Sequence, residues 1–183
     1  MANNAAAVFT RHYDSPMGRI LLAADEIGLR GLWFDGQKYF ARDLPEKLIE
    51  QETQALAEAR RWLDVYFTGK EPDFLPPLHP IGSAFRQAVW TILLQIPYGQ
   101  TTTYGEIARQ LAGTAGLSRM SAQAVGGAVG HNEISIIIPC HRVVGTSGSL
   151  TGYAGGIERK VKLLELERAD MTGFFVPKKG TAL

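Results

Sequence analysis

The 183 residues are 45% hydrophobic and 20% charged, with a formal net charge of +1 and a mean hydropathy of −0.04. That balance suits one folded domain or two small ones and excludes global disorder, a collagen-like repeat and a membrane bundle. One cysteine closes no internal disulfide and rules out a cysteine-rich zinc cluster, while charge divides unevenly: residues 1–82 hold 9 basic and 12 acidic side chains, residues 83–183 hold 10 and 6.

The start, MANNAAAV, lacks the basic flank and apolar core of an export signal. The longest uncharged stretch, 87–105, is broken by Pro97 and Gly99, so we expect no membrane partner and a cytoplasmic protein, nuclear in a eukaryote. Residues 8–34 alternate short apolar runs with turns, which predicts an antiparallel meander. From Glu50 to Phe67, apolar Leu56, Ala59, Leu63 and Tyr66 recur at helical spacing, and Gly69 follows as a stop. The stretch 71–80 has four prolines in ten residues and reads as a linker.

Beyond it, Ser83 is a plausible cap for an apolar helix, AFRQAVWTILLQI. A second helix is predicted from about Thr103 to Gly113, and a third over RMSAQAVGGAVGHN, residues 119–132, a pattern that suits a helix-turn-helix and a plain helical hairpin alike. The third holds Gly126, Gly127 and Gly130, each costing about 1 kcal/mol against alanine in a helix, so its small-residue face suits close approach to another backbone. The predicted class is α+β. A small antiparallel sheet-plus-helix domain spans 1–75, and a mostly helical domain with the helix-turn-helix spans 83–170.

The run ISIIIPCHRVVG predicts a buried strand that delivers Pro139, Cys140, His141 and Arg142 to its end. A thiol needs a base or positive surroundings to become a nucleophilic thiolate near neutral pH. Adjacent side chains of a strand point to opposite faces, so Cys140 and His141 cooperate only through a turn or a bridging water. The imidazole in turn needs an orienting acceptor, for which Glu158, Glu165 and Glu167 of the last helix qualify equally by spacing. A cysteine hydrolase or acyltransferase, or a non-enzymatic binding protein, competes for this pattern.

IPCHRV, preceded by AVGGAV and Asn132 and followed by GYAGG and KLLELE, closely resembles the active-site region of the O6-alkylguanine-DNA alkyltransferases, the methylated-DNA-protein-cysteine methyltransferases. The resemblance is specific from about Phe85 to Glu167 and loose in the amino-terminal part. It implies a single-turnover repair reaction in which Cys140 takes the alkyl group from guanine O6, and it leaves open the preference between guanine lesions and O4-alkylthymine. It makes His141 the base, acting through a water, Glu167 its orienting carboxylate and Asn132 the hinge brace, and it makes Arg142 structural. Tyr104, Ala122, Gly126, Gly127, Val143, Thr146 and Tyr153 fall at DNA-contacting or pocket positions. Gln123 stands where some relatives insert an arginine into the base stack, with Arg119 as a substitute phosphate contact, and Ala154 where some carry a hydroxyl. The implied partner is double-stranded DNA containing O6-alkylguanine, entered from the minor groove with the base rotated out. No cofactor or metal is implied, and the chain is expected to be a monomer in solution, with assembly on DNA left open.

Overall fold

The computed structural model describes residues 6–178. The first five residues, which carry part of the MANNAAAV motif, and the last five of the tail lie outside them. The chain divides between Ile81 and Gly82 into two compact units.

In the first unit, strands β1 (Phe9–Ser15), β2 (Gly18–Ala24) and β3 (Leu29–Phe34) form the antiparallel meander. Ile49–Glu50 is not helical but forms β4, a short strand parallel to β1, and the sheet order is β3-β2-β1-β4. Helix α1 (Gln54–Tyr66) therefore starts later than its apolar periodicity suggested, at Thr53, whose hydroxyl accepts from the Leu56 N–H. Leu21 and Ala23 pack with Val8 and Trp33 under Ala41 and Leu44. The alternate residues Ile20, Leu22 and Ala24 face the other side, where α1 lies against the sheet, so the central strand is buried on both faces. The proline-rich stretch has no helix of its own, but it is not a free linker. Leu29 donates to Pro77 O at 2.8 Å and His79 donates to Leu29 O at 2.7 Å, which lays Leu78 parallel beside β3. The unit thus extends beyond residue 75.

In the second unit, α2 (Ala84–Leu93) is capped by Ser83 and stops short of Ile96, because bonds from Gln95 to Ile92 and Ile96 to Leu93 tighten the chain ahead of Pro97. After the short strand β5 (Thr102–Thr103), α3 (Tyr104–Thr114) begins at a reciprocal cap between Thr103 and Glu106. It runs one residue past Gly113, and the left-handed Gly116 (φ +66°) then turns the chain. Helix α4 (Ala122–Gly130) is capped by Ser121 and is shorter than the predicted 119–132, so Arg119 lies in the connecting loop, not on the helix. Helices α3 and α4 pack on each other and α2 packs on α4, where Trp90 Nε1 donates to Ala128 O at 2.9 Å.

The run Ile134–Ile138 corrects the sequence reading, being a buried turn rather than a strand, with Ile136 at φ +68°. A continuous apolar run looks alike in either setting. What separates them is where the backbone finds its partners, and here the Asn132 side chain supplies several. Pro139 leads into one 3-10 turn, Cys140–Arg142, and then β6 (Val143–Val144), which pairs in parallel with β5. Helix α5 (Ile157–Leu166) closes the unit, and Val144, Leu150, Leu164 and Ala169 form a core that Met171 and Phe174 extend.

Candidate active site

The 3-10 turn decides how the site is assembled. It removes the strand alternation that would have separated Cys140 from His141, and all three of its residues are buried. Asn132 is the brace behind it. Its Oδ1 accepts from Ile134 N–H at 3.0 Å, and its amide shares two protons among Ile134 O (3.3 Å), Ile138 O (2.8 Å) and Cys140 Sγ (3.1 Å). One side chain thereby shapes the apolar turn and donates to the sulfur at its end.

Glu167, the residue that caps α5, is the acceptor brought to His141, at 2.6 Å from Nε2. Glu158 and Glu165 are exposed on the same helix. The carboxylate also receives Arg142 Nε at 2.9 Å, Arg142 Nη2 at 3.0 Å and the backbone N–H of Gly99 at 3.2 Å. A third Arg142 bond reaches Ile96 O at 2.6 Å. Gly99 is held at φ +74°, and a Cβ there would stand 2.8 Å from Glu167 O, so the turn after α2 closes over the carboxylate only with glycine. Burial opposes the Glu167 charge, but hydrogen bonds and ion pairing from His141 and Arg142 outweigh it and hold the carboxyl well below the ordinary range. Burial pushes His141 down despite the pull of Glu167. Arg142 supplies the cation that Glu167 requires, so the imidazole stays neutral, with its proton on Nε2. Its Nδ1 is buried and makes no hydrogen bond to any described residue, which leaves a lone pair available as a base.

Around the sulfur, burial pushes the Cys140 thiol up, while the Asn132 hydrogen bond and the Lys160 cation pull the other way. Sequence reasoning missed Lys160. It is fully buried on α5, donates to Val143 O and to Thr151 O, the latter at 2.7 Å, and is pushed by burial down to about 8. The available signal was its spacing: Ile157, Lys160, Leu164 and Glu167 recur at three- and four-residue intervals, which puts an amine and a carboxylate on the apolar face of one helix. Tyr104 Oη donates to the same Thr151 O at 3.2 Å. Burial raises the Tyr104 and Tyr153 hydroxyls, and the Tyr153 ring meets the His141 ring edge-on, with centroids 6.4 Å apart.

The structure therefore gathers Cys140, His141, Asn132, Glu167, Tyr104, Tyr153 and Val143 into one buried neighbourhood. Val143 lies in β6, and its carbonyl is the Lys160 acceptor. Thr146 is exposed on the following loop, with its hydroxyl 3.9 Å from where a Cβ on Gly105 would stand. Ala122 and Gln123 are exposed at the start of α4, Gly126 is buried, and Gly127 is half-buried with open space beside its Cα. Arg119 is exposed and joins Gly105, Arg109, Leu117 and Ala122 around an open cavity of about 360 Å³.

Fold and site together define a two-unit protein in which a sheet-and-helix domain precedes a helix-turn-helix domain that buries a cysteine, histidine and glutamate as one group. Two family models match the same two parts of the chain: the ribonuclease-like domain of 6-O-methylguanine DNA methyltransferase over residues 8–80 and the DNA binding domain of the same protein over 84–169. A methylated-DNA-protein-cysteine methyltransferase of Methanosarcina acetivorans is 44% identical over 156 residues, covering 85% of this chain and 95% of that one. One from Mycobacterium leprae is 45% identical over 162 residues, covering 88% and 93%. Among solved structures, Mycobacterium tuberculosis O6-methylguanine methyltransferase superposes with a TM-score of 0.74 at 44% identity, covering 88% of this chain and 93% of that one. Mycobacterium tuberculosis OGT in complex with DNA gives 0.75 at 43%, covering 87% and 92%. The chain belongs to the methylated-DNA-protein-cysteine methyltransferase family.

Proposed function

We propose that this protein repairs duplex DNA by moving the alkyl group of an O6-alkylguanine onto Sγ of Cys140, once per molecule. The observation that carries the reading is the pairing of His141 Nε2 with Glu167 at 2.6 Å while Nδ1 of the same ring, one residue from the only thiol, is buried without a partner among the described residues. That imidazole is set to receive the thiol proton through a water, because its other nitrogen is already committed as a donor. The thiolate is stabilised by the Asn132 amide and by the Lys160 cation. It attacks the alkyl carbon in line. The S–C bond forms as the C–O6 bond breaks, the electron pair passes into the guanine ring, and the proton held by His141 balances the guanine that leaves. A thioether offers no route back to the thiol, so the protein is consumed.

Burial of Cys140, at 3% exposed, requires that the base leave the stack to reach it, at a cost of a few kcal/mol. The exposed start of α4, with Ala122 and Gln123, is the surface offered to DNA; its small residue permits close approach to a sugar-phosphate backbone in the minor groove. Tyr104 and Tyr153 wall the site for the extruded base, and Thr146 lies on the adjoining loop. Arg119 and Arg109, on one cavity wall, supply positive charge to nearby phosphates.

The test is intact-mass analysis after mixing equimolar protein and a duplex carrying O6-methylguanine, with an O4-methylthymine duplex in parallel. We expect one methyl group per chain, localised to Cys140 by peptide mapping, and none on a Cys140→Ser variant that still binds the duplex. Repeated turnover of an ester substrate, or methylation elsewhere, would overturn the reading in favour of a cysteine hydrolase.

A further inference from the structure

Between the active-site turn and α5 runs a loop, residues 145–152, that is gripped from two sides. On its inner side, Thr151 O accepts from both Lys160 Nζ at 2.7 Å and Tyr104 Oη at 3.2 Å. On its outer side lies the chain segment 171–176. Leu150 donates to Phe175 O at 2.9 Å, and Phe175 donates to Gly148 O at 3.1 Å, a parallel bridge. The segment is seated by Met171 and Phe174 against Val144, Leu150, Leu164 and Ala169. Two glycines permit the approach: Gly148 (φ +88°) and Gly173 (φ +79°) meet so closely that a Cβ on Gly148 would stand 2.4 Å from Gly173 O.

The inner grip holds the groups that surround the sulfur. Tyr104 hangs on Thr151, and Tyr153 follows two residues later, so a shift of this loop moves both phenols relative to Cys140. Since Cys140 is 3% exposed, a bulky adduct needs its surroundings to move, and this loop, with the segment 171–176 packed against it, is one of them. We propose that residues 171–176 form a strap that sets the size of adduct the site accepts, by resisting outward movement of the loop. The strap is a positioning element: it touches neither the thiol nor its base. As a statement about DNA adducts, the inference rests on the repair function proposed above.

The experiment compares the full chain with Phe174→Ala, with Met171→Ala and with a chain ending at Asp170. Single-turnover rates are measured on duplexes carrying O6-methylguanine or O6-benzylguanine. Cys140 alkylation by iodoacetamide and by the bulkier N-phenylmaleimide is measured in parallel, without DNA. Melting curves select the variants that are folded, and the milder Phe174→Leu serves if the others are not. We expect the benzyl-to-methyl rate ratio and the bulky-to-small reagent ratio both to rise about tenfold or more, the scale on which a pocket wall discriminates a methylene or two. Unchanged ratios in folded variants, or equal loss with small and large substrates, would overturn the strap. If the wild-type protein takes no alkyl group from DNA, the repair reading fails, and the reagent ratio still decides whether the strap governs access to Cys140.

Discussion

The Asn132 amide stands 3.1 Å from Cys140 Sγ and 2.8 Å from Ile138 O, so the group that shapes the turn also donates to the sulfur. Folding and reactivity are thereby coupled at one side chain. Asn132→Ala should destabilise the protein by about 1–3 kcal/mol for each buried backbone group it leaves unpaired. Asn132→Asp should do more to the chemistry, because it sets an acceptor against the sulfur. We expect the pH midpoint of Cys140 alkylation by iodoacetamide to move upward in Asn132→Asp, and a midpoint equal to wild type would show that the amide does not act on the thiol.

Acid should unfold this protein through its active site. Burial lowers the His141 pKa in the folded chain, and partners outweigh burial to lower that of Glu167. A group whose folded pKa lies below its unfolded value contributes stability that is complete above the unfolded value and is lost as pH falls toward the folded one. The losses therefore begin below about 6.5 for His141 and below about 4.3 for Glu167. Urea unfolding midpoints should decline steadily through that range. Glu167→Gln should cost about 3–5 kcal/mol near neutrality, because it strands the buried Arg142 cation, and should make the acid limb shallower. A midpoint insensitive to pH in the wild type would contradict the assignment.

Gln123 is exposed near the start of α4 and brings no charge to the surface proposed to face DNA. Gln123→Arg should tighten duplex binding and steepen the dependence of log affinity on log salt by about 0.9 for one added phosphate contact. Equal affinities across a salt series measured by fluorescence anisotropy would place position 123 away from the DNA.

Methylated Cys140 should melt earlier than the free thiol. The sulfur is buried against the Asn132 amide, and an added methyl overpacks such a site by about 1–3 kcal/mol. Differential scanning calorimetry of the two forms checks this, and a higher melting temperature for the methylated form would show that the site holds room for the product.

Much of the architecture was legible in the residues because it is local. Alternation from 8 to 34 predicted the meander, and Ser83 and Thr103 marked helix starts through hydroxyls that cap their own first turns. The motif around Cys140, by resemblance, named the family. The tertiary structure decided what depends on partners distant in sequence. Ile49–Glu50 left the helix because β1 offered an edge, and Ile134–Ile138 became a turn because Asn132 could satisfy its backbone. Spacing left Glu158, Glu165 and Glu167 equivalent, and only packing distinguishes them, by bringing His141, Arg142 and Gly99 to one carboxylate. Lys160 looked like any helix lysine until Val143 and Thr151 turned their carbonyls toward it. Periodicity records which face is apolar, but a buried polar group is defined by the atoms that satisfy it, and those come from elsewhere in the chain.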